Sequence, residues 1–420
     1  MNRLALGIIC TYFPSRIQPW LVTALEQAMS RGASPVIYAF RADQRDPPEK
    51  VNRLGLLRRT CYVQPGTLAG PLRVLARACS RRDPYAADTR HGLARLIGGG
   101  HLPLTSPRRA ASMLALAPVA GREALDVVHA HSIVPAYYLT AVADALRIPF
   151  LFTFHGHTPE GVATLPPHRA RSLFSSVARV LVNTRFAESQ VAELGCPTDS
   201  IVVLPQGLVL DEFPYRPSKY EPGQPVRILS VGRLEPGKGH RYALEAIAIL
   251  FARGFNLRYR IVGQGSQQTE LETLTRELGL SDRVEFCGGL FDEALLAEYA
   301  QAHLFLLPSS RERAGWQETQ GVVVQEAQAS GCIVVATRTG GIPECVDDGR
   351  SAFLAPEGDA RGLAAAIEQV LRAPDRWSEW QHKGRRWVEE RFDAAVIGSR
   401  QWEIYLDVLA EHRRGRGASR

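Results

Sequence analysis

The chain has 420 residues, enough for two ordinary domains, and its hydrophobic and charged fractions, 45% and 22%, are those of a globular protein. No apolar run approaches the roughly 18 residues that a membrane-spanning helix needs. The apolar first residues are better explained by a first strand than by a signal peptide. Seven cysteines without a CxxC pair favour a reducing compartment. We therefore expect a cytoplasmic protein.

The formal net charge of +7 is concentrated in one segment. Residues 51–110 hold eleven arginines, no lysine and two aspartates, so this segment alone carries +9. Within it Arg73, Arg77 and Arg81 recur at four-residue spacing, which predicts a basic amphipathic helix. The face of that helix without arginines is formed by Leu72, Leu75, Ala76 and Cys79. Two interpretations stay open: contact with an anionic membrane surface, or a general arginine bias. No nucleic-acid module accompanies the arginines, so nucleic acid is not an expected partner.

Strand-like and helix-like runs alternate through the first half of the chain, from 1 to 213. The expected strands are 4–9, 35–39, 126–129, 149–153, 180–182 and 201–204, and the expected helices are 17–31, 134–146 and 186–194. Only the arginine-rich insertion at about 44–120 interrupts this alternation. Apolar strands that alternate with helices indicate a parallel sheet covered on both faces.

The same pattern restarts after a proline-rich linker at 214–225. Expected strands are 226–231, 258–262, 284–286, 304–307 and 333–336, and expected helices are 239–251, 268–278, 293–300 and 322–329. This predicts a second domain at 226–390, a C-terminal helix at 391–412 that returns to the first domain, and a basic tail at 413–420. The expected fold class is α/β, with two Rossmann-like units in tandem.

A glycine-rich loop with two cations follows the first strand of the second domain. It runs from Gly232 and Arg233 to Lys238 and Gly239, and it opens a helix. A helix N-terminus that offers backbone amides and two cations suits a diphosphate. The spacing imitates an ATP- or GTP-binding P-loop, but Gly239 stands where that loop needs Ser or Thr for magnesium, which disfavours the P-loop reading. An ordinary β–α turn with surface charges is the alternative.

Two carboxylates flank the start of a later helix. Gly321 marks that start, so Glu318 precedes the helix and Glu326 lies within it. Carboxylates there can accept hydrogen bonds from sugar or ribose hydroxyls, while the amides near Gln320 and Val322 point at a ligand. A helix-start acid and a solvated acid are the alternative.

Two further loops follow expected strands, at the edge where open α/β sheets bind ligands. Ser309 follows the strand at 304–307, and Gly263 and Gly265 follow the strand at 258–262. Histidines follow two strands of the first half: His129 and His131, then His155 and His157. A metal site is disfavoured, because only Glu160 adds an acid at ligand spacing. We expect a polar wall of the interdomain cleft, with a histidine that either acts as a general acid or base or contacts hydroxyls.

Taken together, these residues resemble glycosyltransferase family 4, whose members are retaining enzymes of the GT-B fold. The motifs that carry the resemblance are the Gly232–Gly239 loop, Gly263-x-Gly265, Phe286-Cys287-Gly288, Pro308-Ser309, Glu318-x7-Glu326 with the following 327–337, and Gly340–Glu344. The first loop departs from the pattern, because Tyr12–Trp20 stands where many members have Gly-Gly. In this respect the chain is similar to a subgroup that makes exopolysaccharide and colanic-acid-like polymers.

The resemblance implies roles for individual residues. Arg233 and Lys238 would hold the donor diphosphate and stabilise its departure electrostatically. Glu318 and His155 would contact the donor sugar, and Glu326 would take the ribose hydroxyls. The further donor-binding residues are expected to be Gly232, Gly263, Gly265, Gly288, Ser309, Gln320, Gly321 and Val322.

The implied reaction is retaining, metal-independent transfer of a sugar from a UDP- or GDP-sugar to a saccharide or lipid-linked acceptor. The setting would be cell-surface polysaccharide or glycolipid biosynthesis, with donor and acceptor in a cleft between two domains, and with residues 51–110 as a membrane contact. No metal and no cofactor are expected beyond the nucleotide-sugar substrate. The alternatives are a GT-B-fold sugar-nucleotide epimerase and a noncatalytic nucleotide-sugar-binding protein.

Overall fold

The computed structural model describes residues 3–16, 18–43, 46–63, 69–98, 107–121, 125–140, 142, 148–156, 167–312 and 315–418. The chain divides into two compact units. The first unit comprises Met1–Asn183, Glu188–Leu204 and Gly398–Arg420, and the second comprises Thr184–Ala187 and Pro205–Ile397. Of the residues considered above, His157 and Glu160 lie outside the described residues, as do parts of the arginine-rich segment.

The first unit is built on a seven-stranded sheet in which every pairing is parallel. Its strands are β1 (Leu4–Tyr12), β2 (Ala33–Arg41), β3 (Thr60–Tyr62), β4 (Val127–His131), β5 (Phe150–Phe154), β6 (Arg179–Val182) and β7 (Ile201–Val203). The strand order is β3-β2-β1-β4-β5-β6-β7, so the direction of winding reverses between β1 and β4. A crevice for a ligand forms at such a reversal, outside the carboxyl ends of the strands.

Helices connect these strands and fill much of the arginine-rich segment. They are α1 (Pro19–Ser30), α2 (Glu49–Arg53), α3 (Ala69–Cys79), α4 (Ala86–Gly98), α5 (Pro107–Ala115), α6 (Ala117–Ala120), α7 (Ile133–Thr140), α8 (Pro167–Ser176) and α9 (Arg185–Glu193). The insertion expected at 44–120 is thus helical over most of its described residues.

The second unit repeats the plan with a six-stranded parallel sheet. Its strands are β8 (Val226–Val231), β9 (Leu257–Val262), β10 (Val284–Gly288), β11 (Leu304–Leu307), β12 (Ile333–Thr337) and β13 (Ala352–Ala355). Its helices are α10 (His240–Ala252), α11 (Gln268–Glu277), α12 (Asp292–Gln301), α13 (Val322–Ser330), α14 (Ala360–Leu371) and α15 (Trp377–Phe392). The order is β10-β9-β8-β11-β12-β13, with the reversal between β8 and β11.

Both faces of the second sheet are buried, which explains why its central strands carry apolar residues at successive positions. In β8, Ile228 packs into the cluster on one face and Leu229 into the cluster on the other. In β12, Ile333 and Val334 divide in the same way. Successive side chains of a strand point to opposite faces, so a sheet covered by helices on both sides needs apolar residues at both.

Apart from the short segment Thr184–Ala187, which groups with the second unit, the chain changes units at two places. Residues 205–213, which the strand pattern assigns to the first half, group with the second unit, because Leu208 N–H donates to the Phe392 carbonyl at 2.7 Å. The last helix, α16 (Ala394–Ala418), packs on the first unit from Gly398 onward. Its Glu411 carboxylate is 2.7 Å from the Arg179 guanidinium. No helix among the described residues combines the length and the apolar composition needed to cross a bilayer.

Candidate active site

The glycine-rich loop lies at the carboxyl end of β8, the central strand of the second unit beside the reversal point. After Gly232 and Arg233 the chain forms a short turn at Pro236–Lys238, and α10 begins immediately after Gly239. Gly239 has φ 64°, and a Cβ there would stand 1.9 Å from the Pro308 carbonyl oxygen. Only glycine permits this close approach, which brings the loop after β11 against the loop after β8.

The loop after β9 adjoins the same glycine-rich loop. Gly232 N–H donates to the Val262 carbonyl at 2.9 Å, and a Cβ on Gly263 would stand 1.8 Å from the Gly232 carbonyl oxygen. Gly265 packs against the Leu234 backbone in the same manner. The structure therefore brings the predicted glycines together. Their first role is to permit close contacts between neighbouring loops at the strand ends.

Lys238 and Glu318 form an ion pair, although 80 residues separate them in the chain. Each side chain keeps only 14% of its surface exposed. Lys238 Nζ also lies 5.3 Å from the centre of the Trp316 ring. Glu318 is held by its backbone as well, because Gly341 N–H donates to its carbonyl oxygen at 2.8 Å. The structure thus places two of the four predicted catalytic residues in direct contact.

Arg233 precedes Lys238 in the same loop, and its side chain is exposed. The charge of Arg233 contributes to lowering the pKa of Glu235. The larger cause of that lowered pKa is the Ser266 hydroxyl, which donates to the Glu235 carboxylate at 2.6 Å. An exposed guanidinium at the strand end is available to an anionic ligand.

Gln320, Gly321 and Val322 form the entry to α13, as the sequence predicts. The Gln320 side chain is bonded on both sides to the Gln206 backbone, at 2.8 Å and 3.0 Å. Its amide group therefore anchors the loop. Gly321 has φ 70° and directly precedes the first helical residue, Val322.

Glu326 is a buried carboxylate on α13 with one hydrogen bond partner among the described side chains. The Tyr299 hydroxyl donates to Glu326 Oε2 at 2.7 Å. Burial raises the pKa of Glu326, and the bond from Tyr299 opposes that rise. A buried, incompletely satisfied carboxylate can accept hydrogen bonds from ligand hydroxyls.

Ser309 and Gly288 complete the predicted donor-binding residues. Ser309 is fully buried, and its hydroxyl has no hydrogen-bond partner within the described part of the chain. The next residue, Ser310, donates its N–H to the Gly237 carbonyl at 2.9 Å, which ties this loop to the glycine-rich loop. Gly288 ends β10, and its carbonyl accepts from Gly263 N–H at 2.7 Å.

Two residues of the site were not predicted from the sequence. Glu312 accepts the Gly237 N–H at 2.9 Å, so a carboxylate occupies an amide of the loop expected to bind phosphate. Trp316 lies so close to Gly237 that a Cβ there would be 2.4 Å from the indole ring. Both belong to the stretch 311–317 just before Glu318. Its only sequence signal is that it exceeds the minimal length of the family pattern.

The predicted histidine of the first unit lies in an aromatic cluster at the carboxyl ends of β4 and β5. The Trp20 ring covers His155, with ring centres 3.9 Å apart. His155 Nε2 is 3.1 Å from His131 Nδ1. His129 is bonded to the Tyr405 hydroxyl at 2.7 Å and to the Thr153 hydroxyl at 2.6 Å. The positions of His129 and His131 two apart on a strand were the sequence signal for this grouping.

All three histidines are neutral near pH 7. Burial lowers the pKa of His131 to about 3, and it lowers the pKa of His129 and of His155 well below the usual value. Neighbouring rings in the cluster lower the pKa of His129 and His155 further. Among the described residues, no group of three or more His, Cys, Asp or Glu side chains is arranged to hold a metal ion.

The models of two protein families match this chain. The model of the family Glycosyl transferases group 1 matches residues 211–387, and that of Glycosyltransferase Family 4 matches residues 71–212. The GDP-mannose-dependent alpha-(1-6)-phosphatidylinositol monomannoside mannosyltransferase of Mycolicibacterium smegmatis is 30% identical over 272 residues, which are 62% of this chain and 70% of the relative. The chain belongs to glycosyltransferase family 4.

A relative and a solved structure extend the comparison. WcaL of Escherichia coli K12, a colanic acid biosynthesis glycosyltransferase by name, is 37% identical over 211 residues, 50% of this chain and 51% of WcaL. The chain thus spans about half the length of the first curated relatives that it matches. Anabaena Alr3699/HepE in complex with UDP has a TM-score of 0.68 at 18% identity, covering 96% of this chain and 100% of that one. The predicted GT-B fold, with two Rossmann-like units, is confirmed.

Proposed function

We propose that this family member is a retaining glycosyltransferase that takes a sugar from a UDP- or GDP-sugar and transfers it to a saccharide or lipid-linked acceptor. The observation that carries the proposal is the contact between Lys238 and Glu318 beside the glycine-rich loop of the second unit. A cation suited to a diphosphate and a carboxylate suited to sugar hydroxyls thereby occupy one site, at the strand ends where α/β sheets bind ligands.

The names of the relatives support this reading. One uses GDP-mannose and acts on a phosphatidylinositol mannoside, one is named for colanic acid biosynthesis, and the similar solved structure holds UDP. Cell-surface polysaccharide or glycolipid biosynthesis is therefore the proposed setting.

In the proposed reaction the bond between the anomeric carbon and the diphosphate oxygen breaks as the acceptor oxygen bonds to that carbon. The acceptor proton leaves with the diphosphate, and retention puts the new bond on the face from which the diphosphate departs. Arg233 and Lys238 stabilise the charge that develops on the diphosphate, and Glu318 orients the sugar. Because two cations supply the stabilisation, we propose that the chemical step needs no metal.

A thermal-shift assay with UDP, GDP, UDP-glucose and GDP-mannose tests this proposal. A ligand at a hundred times its Kd stabilises the fold by about 2.7 kcal/mol, which raises Tm by several degrees in a chain of this size. We expect a rise with one nucleotide class, which Lys238→Ala abolishes and Lys383→Ala, an exposed lysine in α15, leaves intact. If no nucleotide or conjugate shifts Tm at millimolar concentration, the proposal fails.

Two finer points have their own tests. Transfer that persists in excess EDTA supports the metal-independent step, and loss of transfer refutes it. The anomeric configuration of the product by NMR tests retention. Conversion of the sugar nucleotide to its epimer in the absence of acceptor would favour the epimerase alternative.

We also propose that α3 of the first unit contacts an anionic membrane. The helix packs inward through Val74 and Ala78, which are buried. Its other face turns Leu72 and Leu75 outward, with 69% and 54% of their surface exposed, and Arg73 beside them is exposed as well. An outward apolar face flanked by positive charge is the composition that binds at an anionic lipid interface.

The arginines of this helix do not all contribute. Arg77 is turned towards the protein, where its Nε lies 2.9 Å from Asp83 and its Nη1 donates to the Tyr62 carbonyl at 3.0 Å. The prediction that Arg81 belongs to the same helix is wrong, since α3 ends at Cys79. On the helix itself the membrane contact therefore depends on the leucines and Arg73.

Cosedimentation with phosphatidylcholine vesicles, with and without phosphatidylglycerol, tests this contact. We expect binding only with the anionic lipid, and a loss of roughly tenfold or more for each of Leu72→Ser and Leu75→Ser. Leu406→Ser is the matched control, because Leu406 is a helical leucine with 45% exposure elsewhere in the first unit. Equal binding of all variants would refute the membrane assignment.

A further inference from the structure

His131 lies at the end of β4 and has an incompletely satisfied ring. It is 4% exposed, and its Nε2 has no hydrogen-bond partner among the described residues. Its Nδ1 is bonded to His155 Nε2 at 3.1 Å. The two ring planes are only 13° apart with centres at 5.4 Å, so the rings meet edge to edge, as an N–H···N bond requires.

His129 provides a contrast two residues earlier on the same strand. Both of its ring nitrogens are bonded to buried hydroxyls, those of Tyr405 and Thr153. Gln401 in turn donates to the Tyr405 hydroxyl at 2.9 Å, which ties this arrangement to α16. His129 therefore has a complete structural explanation, whereas the contacts of His131 point only at His155.

The protons of the pair can be counted. Because both rings are neutral near pH 7, each carries one N–H, and one of these protons lies between the rings. The shared bond occupies Nε2 of His155. The bond couples the two tautomers, because a proton on Nδ1 of His131 requires an unprotonated Nε2 on His155, and a proton on Nε2 of His155 requires an unprotonated Nδ1 on His131.

Trp20 restrains the same ring from its face. The indole and His155 ring centres are 3.9 Å apart at 35°, and the indole is also 5.4 Å from His131. Restraint on one edge and one face holds the imidazole in a single orientation.

We propose that His131, with Trp20, is a positioning residue that sets the orientation and tautomer of His155. The functional part of this inference rests on the proposed transferase activity, in which His155 contacts the donor sugar. A misplaced contact lowers the rate more than it weakens binding, because it disturbs the orientation of the reacting groups. Loss of the bond should therefore lower kcat far more than it raises the KM for the donor.

Three substitutions separate positioning from packing. His131→Asn places an amide where Nδ1 stands and can donate or accept, His131→Gln places it where Nε2 stands, and His131→Ala removes both. The control is His303→Asn, since His303 is a buried histidine of the second unit with both nitrogens bonded. All four variants are compared by Tm, so that a folding defect is recognised.

The first readout needs no ligand. In the full-length protein with ¹⁵N-labelled histidine, two-bond ¹H–¹⁵N spectra should show His155 as a single tautomer. That signature should persist in His131→Asn and His303→Asn, and it should become a tautomer mixture in His131→Gln and His131→Ala. An unchanged His155 signal in His131→Ala overturns the proposal.

The second readout uses UDP-glucose and GDP-mannose as donors. We expect kcat to fall on the order of tenfold or more in His131→Ala and His131→Gln, with substantial rescue in His131→Asn and little change in KM. Equal losses in all three variants at equal Tm overturn the positioning role. A correct NMR signature in a protein that transfers no sugar would count against the transferase and not against the His131–His155 bond.

Discussion

The two sheets share the same order of their first six strands, but different chemical groups stand at the carboxyl ends of those strands. In the second unit Lys238 and Glu318 form an ion pair at largely buried positions of the loops. In the first unit burial lowers the pKa of His129, His131 and His155, so the polar groups there are neutral rings. A diphosphate requires cations that stay charged, whereas sugar hydroxyls can be bound by neutral donors and acceptors.

Residue type and burial act together in this difference, because the ordinary pKa of lysine lies well above that of histidine and burial lowers the pKa of the histidines further. In the second unit Lys238 has a carboxylate partner and keeps some contact with solvent. Burial is the largest cause of the lowered pKa of all three histidines, which therefore lose their protons.

The largest expected effect tests whether the charge of Lys238 in the second unit contributes more to the reaction than the neutral histidine of the first unit. Lys238→Ala should lower kcat by about 10²–10³, because one preorganised cation at a site of developing charge contributes that much. His155→Ala should cost less, since a neutral contact stabilises no full charge. Steady-state transfer with Lys383→Ala as the matched lysine control measures both. A greater loss in His155→Ala would reverse the assignment of roles.

The next largest effect concerns the backbone of the glycine-rich loop that carries Lys238. Gly239→Ala should destabilise the fold by about 2 kcal/mol or more, because the new Cβ meets the Pro308 carbonyl at 1.9 Å. Gly254→Ala is the control, since Gly254 also has positive φ but nothing within 4 Å. Urea unfolding compares the two. A similar loss in both variants would mean that φ strain alone, and not the close approach, is responsible.

A smaller effect tests the ion pair itself. Glu318→Gln leaves Lys238 without its anionic partner, so a nucleoside diphosphate no longer competes with a carboxylate. We expect its Kd to fall roughly fivefold, equivalent to about 1 kcal/mol, while transfer decreases because the sugar contact is lost. Titration calorimetry with UDP and GDP measures the affinity, with Glu379→Gln, another lysine-paired glutamate, as control. Weaker diphosphate binding would show that Glu318 supports Lys238 instead of competing for it.

The smallest effect concerns the buried acid of the second unit. The raised pKa of Glu326 means that its protonated form stabilises the fold at low pH and that this stabilisation is lost as the pH rises through the raised value. At a pH above that raised value the ionised carboxylate is therefore a cost. Glu326→Gln should raise Tm by about 2 °C there, with the difference shrinking on acidification. A lower Tm at neutral pH would indicate that the Tyr299 bond outweighs the burial.

The parts of the site that follow from local sequence were predictable. The glycine-rich loop, the acids around the start of α13 and the apolar strands have signatures within a few residues, because turns, caps and buried strands are local features. Trp316, Glu312 and Tyr299 carry no such signature. Each enters the site through a contact with a residue far away in the chain or across a loop of unusual length.

The sequence alone determined the α/β class, the repetition of the Rossmann-like plan and the membership of Lys238 and Glu318 in one donor motif, because periodicity and motif order are properties of the chain. Only the tertiary structure decided which charges meet, which rings lose their protons and which face of α3 points outward. Burial depends on the packing of segments distant in sequence, and burial determines both the pKa of a histidine and the exposure of a leucine.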